Sequence, residues 1–143
     1  SCWSCSGLLA RGAIADVYEQ RFKLSIPEWR VIAVLARHPG LSAAGVAAHT
    51  RMDAVAVSRA VTRLLRAGRI RRSIAAEDRR RSVLRLSASG DAVYREIAPV
   101  ALHYERSLLE GLAAAEVGQL DSILGKLLAR AQSLAESART RTK

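Results

Sequence analysis

The sequence predicts a mainly α chain with a small β-hairpin, organised as one domain over residues 1–143. Three observations carry this. Four stretches carry their apolar residues on one helical face, the repeat of a helix with one buried side, and two shorter ones, 29–37 and 43–50, also read as helices. Only once do two short strand-like runs flank a compact loop, between residues 69 and 87. Half of the residues are apolar but only 4% are aromatic, so there is enough material for a core, and it must be built from Ala, Val, Leu and Ile.

The elements follow in order. Residues 7–23 read as a helix, with Leu9, Ala13, Ile14, Val17 and Tyr18 on one side and Arg11, Asp16, Glu19 and Arg21 opposite. Lys23 to Pro27 stops it, and Pro27 suits the first turn of a second helix with Ser25 or Ile26 near its cap. The stretch WRVIAVLAR, 29–37, is apolar almost all round and should be buried. His38-Pro39-Gly40 ends it. Ser42 is placed to cap a small helix over 43–50. Arg51-Met52-Asp53 is a tight connection, and Asp53 caps the helix 54–67. Val57, Val61, Leu64 and Leu65 form the inner stripe of that helix, and Gly68 stops it.

Residues 69–75 and 82–87 read as two strands around the loop EDRRR, 77–81. Ile70 and Ile74 can share a sheet face, whereas Val83-Leu84 interrupts strict alternation and leaves the register of the second strand open. Ser89-Gly90 opens a long helix of about 23 residues, roughly 35 Å. Val93, Ile97, Val100, Ala101, Tyr104, Leu108 and Leu112 line one side, and Pro99 predicts a kink. Residues 113–116 break the pattern. A last helix carries Leu120, Ile123, Leu124, Leu127, Leu128, Ala131 and Leu134, before a tail, SARTRTK, expected to fray.

Charge is unevenly spread. Residues 51–85 hold eleven arginines and three acids, a net +8 of the chain's +10. A charge concentrated in one quarter of a chain points to a polyanion partner, of which nucleic acid is the commonest. A short helix, a three-residue turn and a helix with a polar outer face make a helix-turn-helix. The basic hairpin makes it winged, over about residues 27–88. The terminal helices, about 7–24 and 90–137, cannot bury their stripes on so small a centre, and a symmetric homodimer that packs them together meets that need. No apolar run approaches a membrane span and no classical leader precedes the first helix, so a soluble cytoplasmic protein is expected. No nucleophile elbow, P-loop or metal-ligand cluster is present, so neither an enzyme, a metal nor a cofactor is expected.

Three pieces, LSIPEWRVIAVLARHPGLSAAGVA, MDAVAVSRAVTRLLRAGRIRR and EDRRRSVLRLSASG, resemble the MarR family of bacterial winged helix-turn-helix transcription regulators, over residues 8 to about 135. The resemblance implies a homodimer that binds a pseudo-palindromic operator on double-stranded DNA, usually as a repressor. It implies a recognition helix in the major groove, with Ser58, Arg59, Thr62 and Arg63 near bases or phosphates and Val55 against a thymine methyl. It implies a wing in the minor groove, with Arg80 inserted, Asp78 orienting it, and Arg79 and Arg81 on the backbone. Arg51 stands where many such turns carry Gly, so a local difference is expected there. The opening SCWSCSGL is unlike the family's usual start.

Many family members take a phenolic or other aromatic acid between dimer helices and reader. Tyr18, Trp29, Tyr104 and His103 could line that cleft and Arg30 could pair with a carboxylate, although ordinary core and subunit packing weighs more for each. Cys2 and Cys5 form a lone CxxC. It lacks the second ligand pair of a zinc site and the βαβ context of a thioredoxin-like motif. One peroxide-sensing branch carries a cysteine near this position, which leaves a thiol-based sensor as one alternative. A ligand-independent accessory or architectural DNA-binding protein is the other, separable by its lack of base preference.

Overall fold

A computed structural model describes residues 13–141. Its helices are α1 (Ala13–Phe22), α2 (Ile26–Arg37), α3 (Ala43–Thr50), α4 (Ala54–Arg66), α5 (Ala88–Leu109) and α6 (Ala114–Arg141). Between α4 and α5 lies an antiparallel hairpin of β1 (Ile70–Ile74) and β2 (Ser82–Leu86). The part of the first helix expected over residues 7–12, and both cysteines, lie outside the described residues.

The helix boundaries are set by short polar side chains. Ser25 caps α2 in a capping box. Its hydroxyl accepts the Glu28 amide, and the Glu28 carboxylate accepts the Ser25 amide at 3.2 Å. The Ser42 hydroxyl accepts the Gly45 amide at 3.1 Å, and the Asp53 carboxylate accepts the Ala56 amide at 2.9 Å. Each such cap stabilises its helix by about 1 kcal/mol. Lys23 ends α1 at φ 54° and donates its amide to the Glu19 carbonyl. Gly68, at φ 68°, follows α4.

The core gathers α2, α3, α4 and the base of the hairpin, with α1 and α5 packed against α2. Trp29, Val31, Ile32 and Leu35 of α2 are buried, as its nearly all-round apolar sequence requires. They meet Val57, Val61 and Leu64 of α4, Val46 of α3, and Ile70, Leu84 and Ile97.

The hairpin pairs Ile70 with Leu86 and Ile74 with Ser82. Val83 and Leu84 are both buried because β2 has a second neighbour. Leu84 donates its amide to the Leu41 carbonyl at 2.8 Å and accepts the Gly40 amide at 2.9 Å. The segment before α3 thus adds one bridge to the sheet and fixes the register that the sequence left open. Ile74 shares a face with Ile70 by parity, but at 68% exposure it overhangs the core near the hairpin tip.

The junction of hairpin and α5 explains the run Leu86-Ser87-Ala88-Ser89-Gly90. Ser87, rather than Ser89, is the cap: its hydroxyl accepts the Gly90 amide and donates to the Gly68 carbonyl at 2.6 Å. A Cβ on Gly90 would lie 2.0 Å from the Arg69 carbonyl oxygen, so only glycine lets α5 approach so closely. Arg69 also donates to the Phe22 carbonyl at 2.6 Å, which ties the start of β1 to the end of α1.

The terminal helices correct two expectations, the place of the break and the fraying of the tail. α5 is helical from Ala88 to Leu109 with Pro99 inside it, which removes one amide donor without ending the helix. Val100 is exposed in the single chain, and Tyr94 and Ala98 pack on the core. Residues 110–113, rather than 113–116, separate α5 from α6. Glu116 reaches back to accept the Ala113 amide at 2.8 Å, so Ala114 to Glu116 form the first turn of α6. Ser137 to Arg141, expected to fray, are helical, with Ser137 and Thr140 hydroxyls bonded back to carbonyls a turn earlier.

Candidate nucleic-acid interface

α4 divides cleanly. Val57, Ala60, Val61 and Leu64 are buried, and Val55, Ser58, Arg59, Thr62, Arg63 and Arg66 are exposed. The five residues expected to read DNA therefore stand together on one outer face. Val55 begins that face at 59% exposure, an unburied apolar group that needs a partner to leave water. The Thr62 hydroxyl donates to the Ser58 carbonyl at 2.9 Å, so its lone pairs are what it can offer a ligand.

The arginines of this face differ. Arg63 lies 3.6 Å from the Glu28 carboxylate, which is nearly buried and also closes the α2 capping box. Arg63 is thus steered and partly neutralised by α2. Arg59 and Arg66 have no ion-pair partner among the described residues, which leaves their charge for an outside anion.

The turn before α4 holds its left-handed conformation despite lacking glycine. Arg51 takes it at φ 53° and ψ 29°. The expected local difference does not occur, and the conformation costs about 1–2 kcal/mol that a glycine would not incur. Thr50 braces the turn. Its hydroxyl donates to the Val46 carbonyl at 2.8 Å and accepts the Met52 amide at 3.4 Å.

The hairpin tip is a β-turn, with Arg81 donating its amide to the Asp78 carbonyl at 3.0 Å. The Asp78 carboxylate accepts the Arg80 backbone amide at 2.9 Å. Asp78 therefore shapes the backbone that carries Arg79 and Arg80, and it makes no ion pair with either guanidinium. Arg79, Arg80 and Arg81 are all exposed.

Three further arginines lie on the hairpin strands. Arg71 and Arg72 are exposed on β1, and Arg85 is exposed on β2 directly opposite Arg71. Like charges facing each other across a strand pair destabilise it unless an anion lies between or above them. The Arg85 guanidinium lies over Gly40, where a Cβ would come within 3.2 Å of its Nη2. Their signal was the charge run itself, but only the register shows that 71 and 85 meet.

The residues named for an effector cleft fall into a different region. Tyr18 is buried against Trp29 at 5.7 Å between ring centres, and Trp29 stacks on Tyr94 at 5.8 Å and 19°. Burial pushes the Tyr18 hydroxyl up to about 12. Tyr104 is half-buried on the same core. Arg30 is half-buried, and desolvation lowers its pKa. His103 is exposed. The structure brings Tyr18, Trp29 and the unanticipated Tyr94 into one aromatic stack. Cys2 and Cys5 lie outside the described residues, among which no group of three metal-ligating side chains occurs.

The profile of the MarR family matches residues 22–81, which run from the end of α1 to the tip of the hairpin. Among solved structures, a MarR/EmrR family transcriptional regulator from Acinetobacter sp. ADP1 is 28% identical. The match covers 91% of this chain and 90% of that one, with a TM-score of 0.77. MepR of S. aureus, solved as a DNA complex, is 24% identical, with 81% and 84% covered and a TM-score of 0.72. BpsR of Bordetella bronchiseptica, described with the regulation of its DNA binding by 6-hydroxynicotinic acid, is 24% identical, with 87% and 89% covered and a TM-score of 0.72. No curated protein sequence matches the chain significantly.

Proposed function

We propose that the chain is a winged helix-turn-helix transcription regulator of the MarR family, whose profile matches residues 22–81, and that it represses transcription by binding a pseudo-palindromic operator as a homodimer. The carrying observation is the arginine surface of α4 and the hairpin, where only Arg63 has an acidic partner among the described residues. On this reading α4 lies in the major groove. Arg59 reads bases, Ser58, Thr62 and Arg63 hold register, and Val55 meets a thymine methyl. The hairpin reaches the adjacent minor groove with Arg80, while Arg79 and Arg81 meet phosphates.

Dimerisation follows from α6. Ile123, Leu127 and Leu134 stand exposed on it at helical spacing, and among the described residues α6 packs extensively on no other element. A second copy buries that stripe and sets the two reading helices about one turn of DNA apart, roughly 34–36 Å. A small aromatic acid is the proposed effector, received near Tyr18, Trp29, Arg30 and Tyr104. The regulation of BpsR by 6-hydroxynicotinic acid supports that chemical class. An acid that binds better to another separation of the reading helices shifts the population off DNA. The protein acts without a cofactor or a catalytic step and works in the cytoplasm; no helix among the described residues is long and apolar enough to cross a membrane. Titrating the protein with 6-hydroxynicotinic and simple phenolic acids while following operator binding tests the effector reading. Release by at least one acid is expected, and indifference to all of them contradicts it.

A further inference from the structure

We propose that His38 and His49 form a binding site for a divalent transition-metal ion at the C-terminal ends of α2 and α3. The two rings are 4.6 Å apart between centres, tilted by 44°, and both are exposed. With metal–nitrogen bonds of about 2.0–2.1 Å, two imidazoles bound at a right angle have ring centres about 4.5 Å apart. The observed spacing therefore suits two neighbouring positions around one ion. Imidazole nitrogens suit the borderline ions Ni2+, Cu2+ and Zn2+.

The hydrogen bonding prepares one ring for this role. Nδ1 of His49 lies 2.9 Å from the Gly45 carbonyl oxygen, which can only accept. Nδ1 must therefore carry the proton, and in the neutral ring Nε2 keeps its lone pair. A ligand histidine held by a carbonyl on its other nitrogen is the usual arrangement around a bound metal. Neither ring nitrogen of His38 has a hydrogen-bond partner among the described residues, so either can turn to the ion. Both residues sit where helix dipoles present negative ends: His38 caps α2, and His49 lies in the last turn of α3. Arg37 and Arg51, nearby in sequence, and Arg85, whose guanidinium lies over Gly40, oppose the cation, screened by their exposure to water.

Two imidazoles leave the remaining positions to water, so the site takes an ion reversibly. Filling it ties the end of α2 to the end of α3, the two helices that pack against α4. The site is read by titrating Ni2+ into the full chain carrying Cys2→Ser and Cys5→Ser, which removes competing thiolates, with calorimetry reporting stoichiometry and affinity. One ion per chain is expected, bound about tenfold or more weakly in His38→Gln and likewise in His49→Gln. His103→Gln should bind as the parent does, and Ni2+ should raise the thermal midpoint of the parent but not of His38→Gln. Parent-like affinity in either pair variant, or no uptake near one ion per chain, overturns the proposal.

Discussion

α4 leaves one face exposed and α6 nearly its whole surface, and what the two expose could hardly differ more. α4 offers Arg59, Arg63 and Arg66 beside Ser58, Thr62 and a single apolar Val55. α6 offers Ile123, Leu127 and Leu134, with Leu127 61% exposed. Exposure alone says little about partners. An apolar stripe left in water is matched by another apolar surface, and uncompensated guanidinium groups are matched by an anion. On the proposed reading the first face takes DNA and the second takes a copy of the chain.

The two faces can be broken separately, and the largest expected effect is on α6. Leu127→Glu with Leu134→Glu would bury two unpaired charges in the proposed dimer. Sedimentation should find self-association weakened by about 4 kcal/mol, roughly a thousandfold, with the helical content of the monomer retained. An unchanged dimer would mean that the stripe is covered by something else.

The joint between the regions comes next. Gly90→Ala forces a Cβ against the Arg69 carbonyl, a backbone atom that cannot move aside cheaply. Urea unfolding should show a loss of about 3 kcal/mol or more.

On the reading side, Arg80→Ala should weaken operator binding by about 1–3 kcal/mol, with fold and dimer unaffected. Unchanged affinity sinks the wing assignment. Arg59→Ala should lose a similar amount on the operator and little on random DNA. Equal losses would make Arg59 a phosphate contact. The smallest effect is on the turn. Arg51→Gly relieves left-handed strain but frees the unfolded chain, and a net gain of about 0.5 kcal/mol in stability is expected.

Local chemistry was legible from the sequence wherever one residue decides the matter. Ser42 and Asp53 placed α3 and α4 to within a residue, because a capping side chain acts on amides two or three positions away. The outer face of α4 was legible for the same reason: a period of 3.6 separates Val57, Val61 and Leu64 from Arg59 and Arg63. What escaped were contacts between distant segments. Burial of both Val83 and Leu84 depends on Leu41, more than forty positions earlier. The place of Tyr94 depends on Trp29, and the partial neutralisation of Arg63 on Glu28. The family resemblance had Asp78 orienting Arg80, but that its carboxylate accepts the Arg80 backbone amide needed the folded turn.

The central claim is that two copies of one basic reading head act together, and selection of bound sites from random DNA, followed by footprinting on the winner, tests it most directly. The account predicts an enriched sequence with a two-fold axis and half-sites centred about 10–10.5 base pairs apart. A protein that enriches no sequence, or one that protects a single asymmetric half-site, contradicts it.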